Sequence, residues 1–390
     1  MRINKFRRIE YVKKNWILLF SVAILAISIT ACGTVKQNNN VKPTEIIKAT
    51  NNSENKTETT TTQNISPAVI YTADEGGSIT KIDAATNQLL KAIQVDGAVH
   101  NVQVSPDGKM VGATVVPSMS GMEGMTEKED TEGEHSDNGD HEMNGFAYFY
   151  DTTTDELIRK VEVGVHPAHI VFTMDGKFVL ISNNEGNNVT VLDANNLEAE
   201  YTIPTGKGPH GFRVSTDSSF AYVANIGEDT VSVLNLHTML EERKIKVGSA
   251  PVTTGVTSDG KTLIVPLNAE NAAAIVDLDS DKVIKVPVGN GPAQVFIPTE
   301  SKYAIIANQG TEENPSNSIS KIDLATNEII ATIETGKGAH GVVVSPDNSK
   351  IYVTNMFDNT VTVIDNKTNE VITNISVGKT PNGISITPKR

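Results

Sequence analysis

The stretch "GVVVSPDNSKIYVTNMFDNTVTVIDNKTNEVITNISV", residues 341–377, decides the fold. Four short runs, GVVVS, IYVTN, TVTVID and VITNISV, are rich in Val, Ile, Thr and Tyr, the residues that suit a pleated, half-buried surface. Between them lie PDNSK, MFDN and NKTNE, whose Pro, Asp and Asn pre-set or cap tight turns. Four antiparallel strands joined by such turns make one small sheet, which needs neighbours to cover its two faces. Copies of the unit should therefore exist elsewhere in the chain. The register mark is an Asp, or its amide, closing the third strand. It recurs at Asp83, Asp151, Asp193, Asn235, Asp277, Asp323 and Asp365, separated by 68, 42, 42, 42, 46 and 42 residues. The unit is 42 residues long with two insertions. Seven such units predict an all-β fold over 67–390, a seven-bladed β-propeller of four-stranded antiparallel blades.

The chain ends with the lone first strand NGISITPK (382–389), and the repeat region begins with the other three strands, AVIYTADEGGSITKIDAATNQLLKAIQV (68–95). Pairing of the C-terminal strand with the N-terminal ones completes the seventh blade and removes the free edges of an open array. The motif IYVTN (351–355), with AYVAN (221–225) and AIIAN (304–308), resembles the YVTN-repeat, YncE-like propeller family. The resemblance implies the same ring and an extracytoplasmic location. In architecture it is similar to the haem propeller of nitrite reductases, the copper propeller of nitrous oxide reductase and sugar lactonases. It is unlike WD40 repeats, because the one tryptophan, Trp16, precedes the repeats.

Before the repeats, Arg2, Lys5, Arg7, Arg8, Lys13 and Lys14 lead into the apolar run WILLFSVAILAISIT (16–30), too short to span a bilayer comfortably. A basic head, an apolar run and small residues before a cut describe an export signal over 1–31. Ile29-Thr30-Ala31-Cys32 resembles a bacterial lipobox, which implies lipidation of Cys32. From 32 to 66 the chain is rich in Asn, Thr and Lys and cannot bury enough apolar surface to order itself, so a disordered tether is expected. With 1–31 removed, 27 basic residues face 46 acidic ones, a formal charge of −19. That field disfavours nucleic acid and an anionic membrane surface and suits metal cations. Attachment to the cell membrane, facing the extracytoplasmic side, is then expected through the lipid on Cys32, with the protein a monomer. Cys32 is the sole cysteine, which excludes disulfides and paired-thiolate metal sites.

In a propeller, the loop entering the first strand and the loop joining the second and third open on one face beside the central channel. Aligned on the register mark, one position of the entering loop is filled by His100, Ala168, His210, Val252, Ala293, His340 and Asn382. His100, His210 and His340 fall on blades one, three and six, near three-fold spacing. Three converging imidazoles could hold copper, zinc or iron. His166 and His169, in the entering loop of the second blade, could join or replace one of them. The insertion 117–145 emerges on the same face and carries Met119, Met122, Met125, Met143, His135, His141 and nine carboxylates. Its thioethers suit Cu(I), and its imidazoles and carboxylates suit Cu(II) or zinc. Asn225, Asn308 and Asn355, near the same mouth, read as turn caps or, with Asn382, as ligand-binding groups.

No Ser-His-Asp pattern, phosphate loop or dinucleotide fingerprint is present. The expected function is a non-enzymatic, lipid-anchored binding protein for copper or another transition metal, haem being less favoured. The alternatives are a metal- or haem-dependent enzyme with its site in the funnel, and a cell-surface scaffold for a protein or glycan without metal.

Overall fold

The computed structural model describes residues 68–117 and 143–388. Cys32, Met119, Met122, Met125, His135 and His141 lie outside the described residues, as do the export signal and the tether. Seven four-stranded antiparallel sheets surround a central channel. Blades are numbered here from that of His100. Their innermost strands are Ala98–Val104, Pro167–Phe172, Pro209–Val214, Gly255–Val256, Pro292–Phe296, Ala339–Val344 and Pro381–Ile386. The seventh blade pairs Pro381–Ile386 with Val69–Asp74, joining the two ends of the repeat region as the sequence predicts.

The register mark has a local cause. Oδ1 of Asp83, Asp151, Asp193, Asp323 and Asp365 accepts the amides two and three residues on, at 2.8–3.0 Å. Asn235 does the same at 3.0 and 3.2 Å. Each turn then closes through a left-handed residue four positions on, Asn87, Asp155, Leu197, Met239, Asp281, Asn327 or Asn369. Asn and Asp tolerate that conformation better than other non-glycine residues, which explains their frequency there.

Seven apolar clusters fill the seven gaps between adjacent blades, so the sheets are buried on both faces. The second strands accordingly read as continuous apolar runs, such as Phe178–Asn183 and Phe220–Asn225, in place of strict alternation. The outer strands, such as Gln88–Gln94, are mostly exposed.

Asn225, Asn308 and Asn355 close the second strands and are fully buried. Their amides turn into their own blade: Asn225 Nδ2 donates to Thr230 Oγ1 and Ser232 Oγ, both at 2.9 Å, and Asn355 to Thr360 and Thr362. Asn308 likewise holds Ser318 and Ser320. They clamp the hairpin between strands two and three and present no side-chain donor to the channel.

In the closing blade Asp74 takes this place. Its carboxylate accepts from Thr72 at 2.8 Å, Ser78 at 2.8 Å and Thr80 at 2.6 Å. Burial still outweighs these bonds and pushes its pKa up. Asp74→Asn should therefore leave stability at pH 7 unchanged or raise it by up to about 1 kcal/mol, the amide donating as in the other blades. Asp74→Ala should cost about 1–3 kcal/mol, because three buried hydroxyls lose their acceptor. Urea denaturation of the two variants checks this, and equal losses would contradict it.

Candidate metal centre

Most inner strands enter their sheets through an irregularity. The register between first and second strands shifts at Val99/Asn101, Pro167/Ile170, Pro209/Phe212, Pro292/Val295 and Ala339/Val342. A bulge interrupts the alternation of faces and re-aims the side chains at that point. Two consecutive positions can thus reach the funnel where a regular strand would offer one.

The second of these positions holds His169 on blade two and Gly211 on blade three. A Cβ on Gly211 would stand 2.4 Å from Thr253 Cβ, so the ring leaves little room at this level. His169 occupies it with no exposed surface. The His169 ring lies 6.1 Å from that of His100 and 5.0 Å from that of His210. His100, His169 and His210 can bring one nitrogen each within 4.8 Å of the others.

The tautomers follow from the neighbours. His210 Nδ1 lies 3.0 Å from the Val252 carbonyl, which only accepts, so Nδ1 carries the proton and Nε2 offers a lone pair. His100 Nδ1 lies 3.0 Å from Glu75 Oε1, which also takes Asn382 Nδ2 at 2.8 Å. Burial of Glu75 would raise its pKa, but the hydrogen bond and charge of His100 and the Asn382 amide prevail and draw it down to about 2. Glu75 is thus an ionised acceptor, and His100 Nδ1 donates to it. The two Nε2 atoms then face each other at 3.2 Å. That gap requires a proton or a cation between them. On a tetrahedral ion with metal–nitrogen bonds of about 2.0–2.1 Å, two ligand nitrogens stand about 3.3–3.4 Å apart.

His169 separates these two occupants. Both its ring nitrogens are buried and have no hydrogen-bond partner among the described residues. A proton shared by His100 and His210 leaves them unsatisfied, whereas a cation at the convergence point takes one as a ligand. Desolvation, followed by the fields of His210 and His100, holds the His169 pKa well below its usual value, so the ring is neutral and able to ligate. Desolvation likewise draws His210 to about 3.

Of His100, His210 and His340, the structure brings together the first two, with His169, one of the residues expected to join or replace a member, as the third. His340 is buried, but its Nδ1 lies 3.3 Å from Gln294 Nε2 and 3.4 Å from the Asn382 carbonyl, outside the group of three. The clustered histidines stand on consecutive blades, because the bulge admits His169 where a glycine is more usual. His166 is exposed and pairs with Glu185 at 3.2 Å, away from the cluster. Asn382 orients Glu75 and also lies 3.3 Å from His100 Nδ1. Met143, at the end of the insertion, is partly buried and begins the return into the first blade.

Sequence reasoning missed Glu75. Its signal was present: at the residue after the end of the second strand it is acidic, where other blades carry Asn184, Ile226, Asn268, Gln309 and Met356.

Residues 147–301 and 302–388 match the pattern of the YNCE-like beta-propeller family. No curated protein matches the chain. Among solved structures it is similar to Kuenenia stuttgartiensis hydrazine synthase, with a TM-score of 0.63 and 19% identity over 75% of this chain and 90% of that one. It is also similar to a putative 6-phosphogluconolactonase from Bacteroides fragilis, with a TM-score of 0.61 and 15% identity over 82% and 98% of the two chains. A third similar structure is dihydro-haem d1 dehydrogenase NirN in complex with DHE, with a TM-score of 0.57 and 16% identity over 81% and 74%. At these identities the likeness concerns the fold.

Proposed function

This chain belongs to the YNCE-like β-propeller family, and from that premise we propose that it is a metal-binding protein of the cell envelope that handles copper. In this reading His100, His169 and His210 hold a divalent ion in the funnel. Glu75 and the Val252 carbonyl fix the two outer rings so that their Nε2 lone pairs point inward, the part that partners of ligating histidines commonly play. Among divalent ions an imidazole site favours Cu(II) over zinc in affinity. The thioethers and imidazoles that the sequence places in the insertion are softer donors and would capture Cu(I). The lipid on Cys32 would hold the domain outside the cytoplasmic membrane.

The observation that carries the reading is the His169 imidazole, buried without a partner and within reach of two oriented lone pairs. Elemental analysis and titration of the full chain with Cu(II), zinc and Cu(I) test it. We expect one equivalent of Cu(II), bound more tightly than zinc and lost in a His100→Ala/His210→Ala variant. Cu(I) binding should survive that variant and disappear on deletion of 119–143. If wild-type protein binds no more Cu(II) than the double variant, the funnel site is refuted.

A further inference from the structure

Further along the inner strands from the histidines lies a cavity of about 290 Å³. Its wall includes Ser105, Pro106 and Pro346, which belong to the turns between first and second strands. Those turns lie at the other end of the blades from Glu75, so the cavity reaches toward the opposite face. Most of the wall is apolar, with Phe172, Phe296, Val343 and Ile384 among its residues, and among the described residues it contains no Asp, Glu or Lys. One cation among the described residues stands in it, Arg213.

A guanidinium carries five N–H donors. Among the described residues the Arg213 side chain has one hydrogen-bond acceptor, the Phe212 carbonyl at 2.9 Å from Nη1. Among the described residues no carboxylate pairs with it. The group is nonetheless desolvated enough to draw its pKa down to about 10. Unpaired charge in an apolar wall is costly, and removing it is often neutral or stabilising. The sequence keeps a planar, bidentate donor whose one side-chain acceptor among the described residues is the carbonyl of its own neighbour. Gln103 and Ser385 occupy the equivalent position of two other blades and line the same cavity.

We propose that this cavity is a binding site for a small organic carboxylate with an apolar, ring-sized body. The carboxylate would pair side-on with the Arg213 guanidinium, and the body would lie against Phe172 and Phe296. A planar anion suits the fork geometry better than a tetrahedral one of higher charge, and the apolar wall disfavours any ligand that is polar throughout. The cavity volume of about 290 Å³ lies just under the range of ligand pockets, about 300 to 1,000 Å³, and so limits the ligand to a small one. The site requires nothing of the histidine centre.

Calorimetric titration of the full chain, kept metal-free with EDTA, with phenylacetate, phenylacetamide and inorganic phosphate tests the proposal. Wild type should bind phenylacetate about tenfold to a hundredfold more tightly than the neutral amide, the range expected of charge-assisted hydrogen bonds. Arg213→Met should abolish that preference, and Arg213→Lys should retain part of it. The acid-over-amide comparison needs no variant, so it stands even if Arg213→Met does not fold. Equal binding of acid and amide, no binding of either, tighter binding of phosphate than of the acid, or an unchanged preference in folded Arg213→Met would each overturn it. Because metal is excluded throughout, failure here leaves the histidine centre untouched.

Discussion

In metal-free protein, His169→Leu is expected to raise stability by about 1–3 kcal/mol, the desolvation cost of a buried polar group left without a partner. The same substitution should weaken Cu(II) binding by about a hundredfold or more, exceeding what loss of a group that only orients a ligand would do. The opposite signs matter. A histidine that merely fills space in the core would change stability through packing alone and leave metal binding as it was. Both nitrogens of His169 are buried and unpartnered, so leucine removes a penalty in the empty state and a ligand in the loaded one. Denaturant unfolding in EDTA measures the first effect and competitive metal titration the second. A destabilised variant with unchanged copper affinity would assign His169 to the core.

Acid should unfold the metal-free ring steeply. His169, His210 and His340 all have pKa values lowered by desolvation, His210 to about 3 and His340 to about 4, against 6.5 for a free imidazole. The folded state therefore excludes protons that the unfolded chain accepts once the pH falls below about 6.5. Stability is full above that pH and is lost from there down toward pH 4 and 3. With three rings excluded, the slope reaches about 4 kcal/mol per pH unit. The loss is on the order of 3 kcal/mol for His340 and more for His210. Together they rival the entire stability of a typical domain, about 5–15 kcal/mol. Glu75 contributes stability above the usual carboxylate range that is lost only as the pH falls toward 2, deeper in acid. Urea midpoints between pH 7.5 and 4.5 measure the slope, and His340→Gln should reduce it by about one proton's worth. Saturating Cu(II) should shift the acid limb to lower pH, since metal and proton compete for the same nitrogens. A midpoint independent of pH from 7 to 5 would falsify this account.

The blade count and ring closure were legible because their causes are local. An Asp that caps its own turn leaves the same mark wherever the turn occurs, and NGISITPK lacks three strands that the start of the domain supplies. The funnel position of His100 and His210 was legible for the same reason. His169 was less so: strict alternation puts it on the opposite face from its neighbour, and only the bulge brings it inward. Glu75 depends on which blades end up adjacent, so its partner His100 cannot be read along the chain, and the wall around Arg213 is assembled from several blades. The orientation of Asn225, Asn308 and Asn355 into their own blade depends on hydroxyls of the next strand, five and seven residues on for Asn225 and Asn355 and ten and twelve on for Asn308, a pairing set by hairpin register and invisible to composition.

The closing blade also sets an order in time. Glu75 and Asn382 meet across 307 residues, and Asn382 lies beside His100 across 282. Contacts of such separation form late, after most loop entropy has been lost. A nascent chain can build the blades bearing His100, His169 and His210, yet it cannot anchor Asn382 against Glu75 until the last strand has been delivered. The finished histidine cluster is thus a record of complete synthesis: a truncated or stalled chain would present histidines without the amide that steadies their carboxylate partner.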